Sequence, residues 1–130
     1  MKTFSQVSFY EDTTKKMGIE EIKKQNFKVD HTMHSSQGAS NSAWWIKFEV
    51  QNPTNKPIDW ILYFNYSQFD EMQSWQYSDK NLLISHSLKG DHHIDESKIS
   101  LAQRTSFEFV TPANEKNTVY IKLAYVGSGV

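Results

Sequence analysis

The chain has 130 residues, enough for one domain with a single core, and a formal net charge of -1, with no basic stripe to serve a nucleic-acid or anionic-membrane surface. It contains no cysteine, so disulfides, thiolate zinc sites and cysteine nucleophiles are excluded. Hydrophobic residues make up 38% and aromatic residues 14%, a balance suited to a thin sandwich in which a few large rings fill the space between two sheets.

In chain order, Val7–Tyr10 reads as a short strand. Thr13 or Thr14 is placed to cap a helix over Met17–Lys24, with Ile19, Ile22 and Phe27 as its apolar side and Glu20 and Glu21 near its positive end. Residues 28–41 are polar, and Ser35-Ser36-Gln37-Gly38 marks a loop. Ala43–Gln51 is the clearest strand. Period-two alternation puts Trp44, Ile46, Phe48 and Val50 on one face and Trp45, Lys47 and Glu49 on the other. Asn52-Pro53 ends it, because proline offers no ladder donor.

Ile58–Tyr66 reads as the next strand, with Ile58, Trp60, Leu62, Phe64 and Tyr66 sharing a face, and is expected to pair with Ala43–Gln51 across the Asn-Pro-Thr-Asn-Lys-Pro connection. Glu71–Tyr77, Asn81–Ser87 after a Ser78-Asp79-Lys80 turn, Arg104–Val110 and Thr118–Val126 complete the strands. In the last, Val119, Ile121, Leu123 and Tyr125 point inward, and Thr111–Asn117 forms the turn before it. Many short strands and one short N-terminal helix define a mainly β, antiparallel β-sandwich.

The wording of the central strand, Ser40-Asn41-Ser42-Ala43-Trp44-Trp45-Ile46-Lys47-Phe48-Glu49-Val50-Gln51-Asn52-Pro53, resembles the signature of the type 2 extracellular domain of bacterial seven-transmembrane receptors with diverse intracellular signalling modules. The likeness runs through Tyr10-Glu11-Asp12, Gly18–Ile22, Pro57–Leu62, Phe69–Met72, Gly90-Asp91, Arg104–Phe107 and Thr118–Leu123, in family order. The His-rich segment Asp91–Glu96 departs from the proline-containing stretch of the family. The resemblance implies a jelly-roll sandwich similar to galactose-binding domains. It also implies a single periplasmic sensor domain over 1–130, excised from an inner-membrane receptor whose helices follow Val130, and a small ligand, proposed for the family to be a carbohydrate. No run in the chain itself reaches the ~18–20 apolar residues of a membrane span.

No phosphate-cradling glycine loop, Gly-x-Ser-x-Gly elbow or His-Glu-x-x-His helix is present, so a binding domain is expected rather than an enzyme, with no cofactor. For metal, Asp91-His92-His93-Ile94-Asp95-Glu96 with His31 and His34 is the best candidate. Adjacent histidines on an extended chain diverge, so a solvated loop without metal is expected. The aromatic surplus carries more. Trp45, Tyr63, Trp75 and Tyr77 fall out of phase with the core positions or in strands of uncertain phase, and a ring flanked by amides and carboxylates is the chemistry of sugar recognition. Trp45, Tyr63, Asn65, Asp70, Trp75 and Arg104 are the candidate ligand residues. The competing reading of these rings is that a helix and loops cover the second sheet face. Beside the receptor sensor stand two other functions: a stand-alone carbohydrate-binding module of a secreted enzyme, and a ligand-free dimerisation domain. Membrane contact is expected only through the parent receptor's helices, a homodimer is possible, and no nucleic-acid partner is expected.

Overall fold

The computed structural model describes residues 3–4, 7–14, 16–29, 43–63, 71–89 and 106–124. Its strands are β1 (Thr3–Phe4), β2 (Ser8–Asp12), β3 (Ala43–Asn52), β4 (Ile58–Tyr63), β5 (Glu71–Tyr77), β6 (Leu83–Lys89), β7 (Ser106–Thr111) and β8 (Glu115–Ala124), with a single helical turn α1 at Ile19–Ile22. The larger sheet has the order β1-β3-β8-β5-β6, with β2 also on β3; β4 and β7 form the second sheet among the described residues. All these pairings are antiparallel.

The alternation of β3 does what its sequence requires. Trp44, Ile46, Phe48 and Val50 are buried between the sheets with Trp60, Met72, Phe107, Phe109, Val119, Ile121 and Leu123. Trp60 stacks on Phe109 at 4.3 Å and meets Phe48 edge-on at 6.0 Å. Rings of this size bridge the roughly 10 Å between packed sheets.

The expected pairing of Ala43–Gln51 with Ile58–Tyr66 is corrected. β3 pairs with β1 and β2 on one side and β8 on the other, while β4 crosses to the second sheet and pairs with β7. The physical reason lies in the connection. Asn52 is fully buried, and its Nδ2 donates to the carbonyls of Lys56 (2.8 Å), Thr111 (3.2 Å) and Pro112 (3.1 Å). Its Oδ1 accepts from the Thr54 backbone N–H (3.0 Å) and hydroxyl (2.6 Å). One side chain thus bonds polar groups of both connections that cross between sheets, β3–β4 and β7–β8. The Asn114 N–H adds a bond to Thr54 O at 2.9 Å.

The helix expected over Met17–Lys24 is also reduced, to the four residues of α1. Gly18 stands at its N-cap with no side-chain cap bond. Thr14 is drawn away by the buried carboxylate of Asp12, which accepts from the Thr14 N–H and hydroxyl (3.0 and 2.6 Å) and from the Met17 N–H (3.0 Å). The chain leaving α1 returns beside β2 through reciprocal Phe9–Lys28 backbone bonds. This arm carries Met17, Ile19, Ile22 and Phe27 onto the outer face of the larger sheet, where they pack with Tyr10, Trp45, Trp75, Tyr77 and Tyr120. No helix of the described residues is long and apolar enough to cross a membrane.

Candidate functional site

Registers across the larger sheet decide which outer-face residues meet. One row is Glu49–Thr118–Tyr77, from β3 through β8 to β5, and the next is Lys47–Tyr120–Trp75–His86. Beyond β5 the chain turns through Ser78–Asn81. The Ser78 N–H donates to Leu82 O at 2.8 Å, the Asn81 N–H to Ser78 O at 3.0 Å, and the Ser78 hydroxyl accepts from the Lys80 and Leu82 N–H groups at 3.2 Å. Asn81 takes φ 63°, a left-handed geometry that asparagine tolerates better than most residues.

This turn, the first row and Tyr120 of the second border an open cavity of about 330 Å³. Tyr77 and Tyr120 line it with Glu49, Thr118 and Lys116 from the sheet and Ser78, Asp79 and Asn81 from the turn. Both tyrosines are more than nine-tenths buried, at 5% and 6% exposure, and their rings meet edge to face at 6.0 Å and 84°. Neither phenol hydroxyl hydrogen-bonds a described residue. Lys23 Nζ lies 4.1 Å from the Tyr77 ring centroid, a cation–π contact. Lys116 pairs with Glu49 at 3.4 Å.

Burial pushes the Tyr77 phenol above its ordinary value, and Glu20 adds to the rise. Burial likewise raises Tyr120, with Tyr77 and Glu49 contributing. Both groups therefore stay protonated at neutral pH and keep an O–H able to donate a hydrogen bond. Two phenols, carboxylates, an amide, hydroxyls and an ammonium in one concavity can bind a small polar molecule through several hydrogen bonds at once.

A second cavity of about 330 Å³ opens among Phe4, Val7, Phe48, Trp60, Ile61 and Leu62, at the sandwich edge by β1 and β4. It is lined by apolar side chains.

A family model, 7TMR-DISM extracellular 2, matches residues 5–128. The chain belongs to this family. As a 7TMR-DISM extracellular domain it lies outside the cytoplasm, in the periplasm or the extracellular space. No curated protein matches the chain.

Within this DISM extracellular domain the sequence-derived candidates have different fates. Trp45 is fully buried beneath the α1 arm, so its ring has no solvent face. Trp75, 8% exposed, is stacked on Trp45 at 5.2 Å toward β3 and on His86 at 4.7 Å toward β6. The covering of the second sheet face, the competing reading of these rings, describes both tryptophans. A polar chain runs beside them. His86 Nε2 and Gln73 Oε1 are 2.9 Å apart, Gln73 Nε2 donates to Glu71, and Glu71 pairs with Lys122 at 4.0 Å. Asn65, Asp70, Arg104 and the Tyr63 side chain lie outside what is described, as do His31, His34 and the Asp91–Glu96 loop.

Sequence reasoning missed Tyr120, Thr118 and Glu49 as a group. Alternation in β8 does place Tyr120 and Thr118 opposite Val119 and Ile121. Nothing local, however, puts them between Glu49 and Tyr77, because that neighbourhood depends on the strand order β3-β8-β5.

Proposed function

We propose that this extracellular domain senses a small polar ligand, a carbohydrate, which binds in the Tyr77–Tyr120 cavity and biases the receptor of which the domain is part. The observation that carries this reading is the pair of buried tyrosines, neither hydroxyl bonded to a described residue, that line a cavity with Asp79, Asn81, Ser78 and Thr118. Carbohydrate hydroxyls need donors and acceptors held at fixed spacing. Phenols supply donors, carboxylates and amides supply acceptors, and side chains rooted in adjacent strands hold the spacing. The role is binding, without catalysis or cofactor. Sensing further requires that the ligand favour one receptor conformation, since equal affinity for two states shifts neither.

The test is a glycan and metabolite screen of the folded domain by ligand-observed NMR, followed by calorimetry on hits. Tyr77→Phe, Tyr120→Phe and Asn81→Gly keep the fold, glycine accepting the φ 63° of position 81, and each removes a single polar group. Each should weaken a hit by about tenfold, the equivalent of one hydrogen bond of 1.4 kcal/mol. A hit indifferent to all three but lost in Asn65→Ala, Asp70→Ala or Arg104→Ala places the site with the sequence-derived polar candidates instead.

A further inference from the structure

The charges around the Tyr77–Tyr120 cavity are not balanced. Glu49 has a counter-ion in Lys116 at 3.4 Å, whereas Asp79, exposed on the turn at the rim, forms no ion pair with a described residue. At the cavity floor Glu20 likewise has a counter-ion, Lys23 at 3.8 Å, which leaves Asp79 as the lining carboxylate without one among the described residues. Carboxylates, Glu20 at Tyr77 and Glu49 at Tyr120, add to burial in holding the phenols protonated. The Tyr77 ring takes the Lys23 ammonium at 4.1 Å, so a further cation is drawn to the Asp79 side of the cavity. A positive group entering the cavity meets one carboxylate that has no ion-pair partner among the described residues, and a lysine whose charge Glu49 offsets.

We infer that the ligand of this cavity carries a protonated amine that pairs with Asp79, while its hydroxyls bond the Tyr77 and Tyr120 phenols. An amino sugar has this chemistry. The inference rests on the carbohydrate reading of the same cavity and narrows it from polyols in general to cationic ones. A neutral sugar offers Asp79 only a hydroxyl. An ammonium offers a charge-assisted bond at the same place, with a Coulombic gain that salt screens.

Three probes of nearly one shape isolate the charge: glucosamine, glucose and N-acetylglucosamine, each titrated into the 130-residue chain by calorimetry at low salt. Glucosamine should bind about tenfold more tightly than the other two, as expected for one added charge-assisted contact. Asp79→Asn should bring the three within about twofold of one another without lowering the thermal midpoint, since Asp79 is exposed in a turn. Raised salt should have the same levelling effect in the wild type. Equal binding of glucose and glucosamine, or an advantage of glucosamine that survives Asp79→Asn, overturns the amine assignment. In either case, glucose binding that Tyr120→Phe abolishes leaves the carbohydrate reading intact. Absence of binding by all three overturns both.

Discussion

Trp75 lies flat against Trp45, with ring centroids 5.2 Å apart and planes inclined by 26°, and His86 covers its opposite side at 4.7 Å and 12°. The indole is therefore packing material, holding β5 to its neighbours beneath the α1 arm. Trp75→Ala should cost about 3–5 kcal/mol in urea denaturation, the range for deleting a buried aromatic. A loss under about 1 kcal/mol would mean that the stack is open to water.

Asn52 offers a sharper test of how the sheets are joined. Its amide donates to three carbonyls from both crossing connections. Asn52→Ala removes this donor from the Thr111 and Pro112 carbonyls, while that of Lys56 keeps the Thr54 hydroxyl, at a cost of about 2 kcal/mol on the scale of 1–3 kcal/mol for a buried group orphaned. Asn52→Asp should be worse at neutral pH, because a carboxylate oxygen then faces carbonyl oxygens. Equilibrium denaturation of both variants decides the order, and an aspartate variant as stable as wild type contradicts the bonding described.

The two faces of β3 should respond unequally to substitution. Phe48 is buried against Trp60, so Phe48→Ala should cost about 3–5 kcal/mol. Glu49, one residue on, makes a solvent-accessible pair with Lys116, and Glu49→Gln should change stability by less than about 1 kcal/mol. Comparable losses at the two positions would mean that the outer face is not where the alternation places it.

The raised tyrosines make a prediction in alkali. An acid whose pKa is higher folded than unfolded binds more protons in the native state once pH passes the unfolded value. Stability then falls with rising pH. For Tyr77 and Tyr120, raised chiefly by burial, the decline should begin near the ordinary value of 10.0 and continue until pH exceeds the folded pKa. Denaturation midpoints followed across this window should fall less steeply in Tyr77→Phe and Tyr120→Phe than in wild type. Unchanged slopes in both variants would show that the phenols are solvated in the native state.

Much of this domain is legible in its sequence because side-chain alternation along a strand is local. Trp44, Ile46, Phe48 and Val50 had to share a face, Val119, Ile121 and Leu123 likewise, and Ser78-Asp79-Lys80 had to interrupt two strands. The family followed from the order of such pieces. Which strands become neighbours is a different kind of fact. Asn52-Pro53 looks like the start of a hairpin until the buried amide of Asn52 ties its connection to Thr111 and Pro112, 59 and 60 residues away, and sends β4 to the other sheet. The same limit explains the site. Trp45 and Trp75 are out of phase with the inter-sheet core and read as free rings, but a one-turn arm held by Asp12 covers them. Tyr120 and Tyr77 look like ordinary strand residues, yet lateral pairing of β8 with β5 sets them side by side over a polar cavity. Alternation fixes the direction of a side chain from two backbone angles per residue; its company depends on long-range hydrogen bonds and packing, which no short stretch of sequence contains.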